Sequence, residues 1–70
     1  MDFSEALKLL KQGKTVRRAS WSGSKQIKLI YDSSSELILP HIRIITKDGK
    51  VGVYTATNCD ILANAWVLLG

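Results

Sequence analysis

A chain of seventy residues with a single cysteine has no internal disulfide available, and its one histidine and six scattered carboxylates supply no Cys/His cluster for a structural metal. At this size a folded chain buries only about 60% of the surface it exposes when unfolded, which leaves a monomer marginal. The remaining supports are a well-packed core and association with other copies. Association is therefore the first expectation.

Other classes fall away quickly. No apolar stretch approaches the roughly 20 residues that a membrane-spanning helix needs, so no membrane partner is expected. Asp2 and Glu5 stand where a secretory leader would carry positive charge ahead of an apolar run. A free Cys59 also suits a reducing compartment better than an oxidising one. The expectation is a soluble, intracellular domain spanning residues 1–70. Ten basic residues against six acidic ones give a net charge of +4. Half of the cations (Lys8, Lys11, Lys14, Arg17, Arg18) are clustered, a pattern that can attract phosphate. The plainer reading of that cluster is a solvated helix face followed by an edge strand.

Residues 2–12 carry a helix signature. Asp2 and Glu5 have capping-box spacing, Ser4 is an alternative cap, and Phe3, Ala6, Leu7 and Leu10 repeat at helical period. Gly13 is a natural stop, with Lys11 and Lys14 placed to complement the helix dipole. Residues 15–19 read as a short strand, 20–24 as a turn around Trp21 and Gly23, and 25–31 as a second strand with Ile27 and Leu29 on one face. Residues 32–35 read as a polar loop. Apolar stretches at 37–39 and 41–46 flank Pro40, which marks a bulge, a strand start or an edge. Asp48-Gly49 predicts a tight type I′ hairpin turn pairing 51–54 with 42–46. Thr57 and Asp60 have N-cap and N3 spacing for a second short helix, with Ile61, Leu62 and Ala65 expected inward. Residues 66–69 return to strand. The fold class is α+β: a small antiparallel β-sheet with an N-terminal helix packed on it and a second short helix before the last strand.

An enzyme is hard to assemble from these residues. His41 is the only imidazole and Cys59 the only thiol, and Asp60 has no partner carboxylate for acid/base work. Ser22-Gly23-Ser24 matches no phosphate-binding loop. No catalytic residue, metal or cofactor is expected. Binding is easier to build. Trp21 lies beside Arg17, Arg18 and Ser22, and an aromatic face stacks on a nucleobase for about 1–3 kcal/mol. Thr57, Asn58 and Asp60 gather at a helix start, where small polar side chains can read hydroxyls or simply cap the helix. Trp21 could equally anchor the core. No helix-turn-helix, zinc finger or RNA-recognition motif is present, which ranks a nucleic-acid polymer below a small ligand.

The order of these motifs resembles a known family. Phe3-Ser4-Glu5-Ala6-Leu7, Gly13-Lys14 and Val16-Arg17-Arg18-Ala19-Ser20-Trp21 are similar to the opening of the second Thoeris anti-defence family of small phage and prophage proteins. Asp48-Gly49-Lys50, the run from Tyr54 through Asp60 to Ala63, and Trp66 resemble its second half. The sequence departs from the family pattern at Asn58 (usually Gln), Ser22 (often Asn), Val53 (often Pro), Tyr54 (often Trp) and Asn64-Ala65 (an acidic pair). The resemblance implies a homotetramer in the bacterial host's cytoplasm that sequesters a cyclic nucleotide immune signal without cleaving it. The implied signal is a cyclic ADP-ribose isomer made by a TIR-domain enzyme. It further implies pockets between subunits in which Trp21 stacks on the ligand and Thr57, Asn58 and Asp60 hydrogen-bond it, with Arg18 and Thr55 on the phosphate side. The alternative is a structural or protein-interaction module without a small-molecule ligand.

Overall fold

The computed structural model describes residues 1–30 and 40–70. An N-terminal helix, α1 (Phe3–Lys11), precedes β1 (Thr15–Arg18), β2 (Gln26–Ile30), β3 (His41–Ile45) and β4 (Val51–Val53); a short helix, α2 (Asn58–Leu62), then leads to β5 (Trp66–Leu68). The strands form one sheet in the order β4-β3-β2-β1-β5, antiparallel at every pairing. The α+β expectation holds, with α1 packed on the sheet and α2 placed before the last strand. The expected stretch at 37–39 and the polar loop at 32–35 lie outside the described residues.

Helix α1 forms where capping and periodicity agree. Asp2 is extended and its carboxylate accepts the Glu5 backbone N–H at 2.9 Å, satisfying one orphan donor of the first turn. Gly13, at φ 83°, takes the left-handed conformation that ends the helix. Ala6 and Leu10 are fully buried, and Phe3, Leu7 and Leu9 are half-buried beside them. They meet Val16, Ile27 and Trp66, which complete the buried core. One cross-strand row, Leu68–Val16–Ile27–Ile44–Gly52, therefore carries the helix-facing side of the sheet.

Strand β5 closes the domain by pairing with β1, and the Trp66 N–H donates to the Met1 carbonyl at 3.0 Å. Pro40 sits immediately before β3, so its missing donor falls outside the ladder.

Three expectations are corrected. The Asp48-Gly49 hairpin pairs the expected segments, β4 antiparallel to β3, but not through a type I′ turn, and Ile45 faces Val51 one residue out of the register a two-residue turn would set. Only Gly49 has positive φ, at 89°, and its N–H donates to the Thr46 carbonyl at 2.9 Å. The loop is thus a turn over Lys47 and Asp48 followed by a left-handed glycine. That three-residue connection spares Asp48 the strain of positive φ. Second, β1 is not an edge strand, because β5 inserts beside it; β4 and β5 are the edges. Third, Ile61, Leu62 and Ala65 face outward. A five-residue helix has room for few inward positions, and Asp60 takes the buried one, turning its apolar neighbours to the surface.

Truncation should separate the two kinds of apolar residue. Leu10→Ala is expected to cost about 2–5 kcal/mol in urea denaturation, as for a fully buried leucine. Leu62→Ala, at a side chain 78% exposed, should change intrinsic stability by no more than about 0.5 kcal/mol.

Candidate functional site

The candidate site is built around the Asp60 carboxylate, 8% exposed and the only polar or charged residue buried among those described. Thr57 is extended and caps α2; its hydroxyl accepts the Asp60 N–H at 3.2 Å while the Thr57 N–H reaches Asp60 Oδ2 at 3.5 Å. This is the capping box that the Thr57/Asp60 spacing predicts. It aims the carboxylate at the sheet. There Oδ1 accepts from Arg18 Nη1 at 2.9 Å and Oδ2 from the Tyr54 hydroxyl at 2.7 Å. The Asp60 carbonyl accepts the Trp66 indole N–H at 3.0 Å. One residue thereby ties α2, β1, β5 and the segment after β4 together.

Electrostatics follow from this arrangement. Burial is the largest single influence on Asp60 and disfavours its charged form. The hydrogen bonds from Tyr54, Arg18 and Thr57 together outweigh it and hold the carboxyl below its ordinary value. The Tyr54 phenol moves up, first through burial, then through donation to and repulsion by the Asp60 charge. Tyr54 is therefore a fixed donor. Arg18 Nε is buried with no hydrogen-bond partner among the described residues.

Trp21 packs against this network. Its ring lies edge-on to Trp66, with centroids 5.3 Å apart, and to Tyr54 at 6.2 Å. The Lys25 ammonium sits over the ring, 4.6 Å from its centroid. The loop carrying Trp21 is tethered by Arg17, whose guanidinium donates to the Trp21 carbonyl and to the Gly23 carbonyl, the latter at 3.0 Å. Gly23 has φ 63°, and a Cβ there would meet the Lys47 carbonyl oxygen at 2.9 Å, so this close approach requires glycine.

The six residues named from sequence divide into two groups. Trp21, Arg18 and Asp60 come together through Tyr54, with Trp21 and Arg18 half-buried and both oxygens of Asp60 already occupied by internal donors. Thr55, Thr57 and Asn58 lie exposed along the chain between Tyr54 and Asp60. Sequence reasoning missed Tyr54 and Lys25 as members of the cluster, while Arg17, set beside Trp21 from the sequence, ties down its loop through backbone carbonyls. Tyr54 was legible only as an aromatic six residues before Asp60. Nothing in the sequence announced that Lys25 would return over Trp21 from the other side of a turn. Among the described residues no three His, Cys, Asp or Glu side chains gather to hold a metal ion, and no helix is long and apolar enough to cross a membrane.

Fold and cluster together define a small α+β module with an aromatic and cationic surface built on one buried carboxylate. Residues 1–69 match the Thoeris anti-defense 2-like domain. The chain is also similar to Thoeris anti-defense 2 of Bacillus phage SP01, 30% identical over 81 aligned positions covering 94% of this chain and 91% of that protein. The chain belongs to the Thoeris anti-defense 2-like family, and its role is accordingly an anti-defence one in phage.

Stability should report the Asp60 network through pH. Because the folded carboxyl titrates below its unfolded value of about 3.9, its contribution is complete above that value and is lost as pH falls through the lowered folded one. Asp60→Asn should cost about 2–3 kcal/mol at pH 7, since Arg18 keeps its charge beside a neutral amide. Urea midpoints at fixed protomer concentration should show the gap between wild type and variant narrowing from pH 5 to pH 2.

Proposed function

We propose that the protein binds and sequesters a cyclic nucleotide immune signal, a cyclic ADP-ribose isomer first among candidates, without transforming it. It would do so in the cytoplasm of the bacterial host. The observation that carries this reading is Trp21: a half-buried indole packed edge-on against Trp66 and Tyr54, with the Lys25 ammonium over its ring. A nucleobase stacking there displaces Lys25, whose ammonium then lies within its own tether length of the ligand's phosphates. Arg18 uses Nη1 on Asp60 and brings further guanidinium donors to the same corner. Exposed Thr57 and Asn58 supply hydroxyl and amide groups suited to ribose. Asp60 acts chiefly by holding Arg18 and Tyr54 in place, and Thr55 stands at the outer margin.

Capture without turnover fits this chemistry. The buried carboxylate is ionised, fully engaged and held below its ordinary value, the reverse of what a general acid or base near pH 7 requires. The reading extends to a homotetramer. Ile61 and Leu62 are exposed beside Thr57 and Asn58, so a neighbouring copy seated on α2 covers apolar surface and adds the missing wall of the pocket. Membership of the family supports both features.

Calorimetric titration with cyclic ADP-ribose isomers and cyclic dinucleotides tests the reading. Wild type should bind one member of the panel tightly. Trp21→Ala should weaken that binding at least about tenfold, the loss of one base stack, while retaining the wild-type circular dichroism spectrum. Absence of binding across the panel by a folded protein, or a monomer in light scattering at micromolar concentration, would count against it.

A further inference from the structure

The face of the sheet away from α1 carries a pair of cations with no acidic partner among the described residues. Lys28 on β2 and Arg43 on β3 are direct cross-strand partners, and the same row continues to Thr15 on β1 and Val53 on β4. Like charges placed directly opposite one another destabilise a sheet. The five strands hold Arg17, Arg18, Lys28 and Arg43 and not one Asp or Glu, so the sheet itself offers no counter-charge. Arg18 is neutralised by Asp60, and Arg17 is spent on the carbonyls of Trp21 and Gly23. Neither Lys28 nor Arg43 has an ion-pair partner among the described residues.

The two cations border a shallow depression of about 40 Å³, whose lining also includes Thr15, Gln26 and Ile45. Its donors are a hydroxyl, an amide, an ammonium and a planar guanidinium fork, the set that recognises a tetrahedral oxyanion. Its size falls far below the roughly 300–1,000 Å³ of a site for a drug-sized molecule, so it suits one small oxyanion group at the surface and not an entire nucleotide. We propose that Lys28 and Arg43, with Thr15 and Gln26, form a phosphate-binding site on the open face of the sheet, separate from the Trp21 cluster. The bound oxyanion relieves the cross-strand repulsion, so occupancy stabilises the folded protein by mass action.

The test uses the purified protein as it assembles, in phosphate-free buffer at constant ionic strength set with sodium chloride. Inorganic phosphate should raise the melting temperature by several degrees in a saturable way and shift the amide signals of residues 15, 26, 28 and 43. Lys28→Met/Arg43→Met should melt higher than wild type without phosphate and cease to respond to it. Arg43→Gln, a smaller change, should weaken the response and serves if the double variant misfolds. Binding of cyclic ADP-ribose isomers at Trp21 should be unchanged in either variant. Glycerol phosphate run in parallel distinguishes the source: equal responses mark a free oxyanion, and preference for the ester marks a phosphate carried by a larger molecule. A phosphate response that persists in both variants, or that chloride reproduces, overturns the site, as does silence toward both phosphates.

Discussion

The structure depends on one ionised carboxylate held out of water. A carboxylate at the position of Asp60 is tolerable only because Arg18, Tyr54 and Thr57 donate to it, and those donors come from β1 and from the segment after β4. The network does what a disulfide does in another small domain. It fixes the segment after β4 against β1, while the Asp60 carbonyl fixes Trp66, the largest side chain of the core. Trp66 in turn supports Trp21. A chain of contacts thus runs from a capping box to the aromatic surface around Trp21.

The same economy explains the outward apolar residues. With Asp60 taking the inward position of α2, Ile61 and Leu62 are left at the surface, and Val51 and Val53 lie exposed on the edge strand β4 while Val67, Leu68 and Leu69 line the opposite edge. Large exposed side chains gathered at both edges of a sheet are a liability for a solitary small domain. They are what a subunit of an assembly needs. The small core and the apolar edges both fit the proposed homotetramer, in which one subunit would cover what its neighbour leaves exposed.

Local structure was largely legible in the sequence because its signals are local. Asp2 before a 3.6-residue apolar repeat, Gly13 after it, the Thr57/Asp60 spacing and Asp48-Gly49 each act within a few residues, and each marks the element it predicts. What was missed depends on three-dimensional competition. The helical period of Ile61, Leu62 and Ala65 pointed inward, yet the hydrogen-bond demand of Asp60 outranked it. The turn type changed because Asp48 avoids positive φ when a three-residue loop can place Gly49 there instead. β1 ceased to be an edge because β5 returns from more than forty residues away, beyond the reach of periodicity. The cluster was half legible: Trp21, Arg18 and Asp60 could be named by residue type and motif. Tyr54 joined through a tertiary contact with Trp21, and Lys25 through the turn that folds it back over that ring.

Retention of an unaltered signal is the central claim, and recovery of the ligand tests it most directly. The protein would be mixed with the nucleotide product of a TIR-domain immune enzyme, separated from free ligand by filtration, heated to unfold it, and the released material identified by mass spectrometry. The account predicts depletion of the signal from the filtrate and its return on heating with unchanged mass. A filtrate still containing all of the signal, or a released product of altered mass, would contradict it.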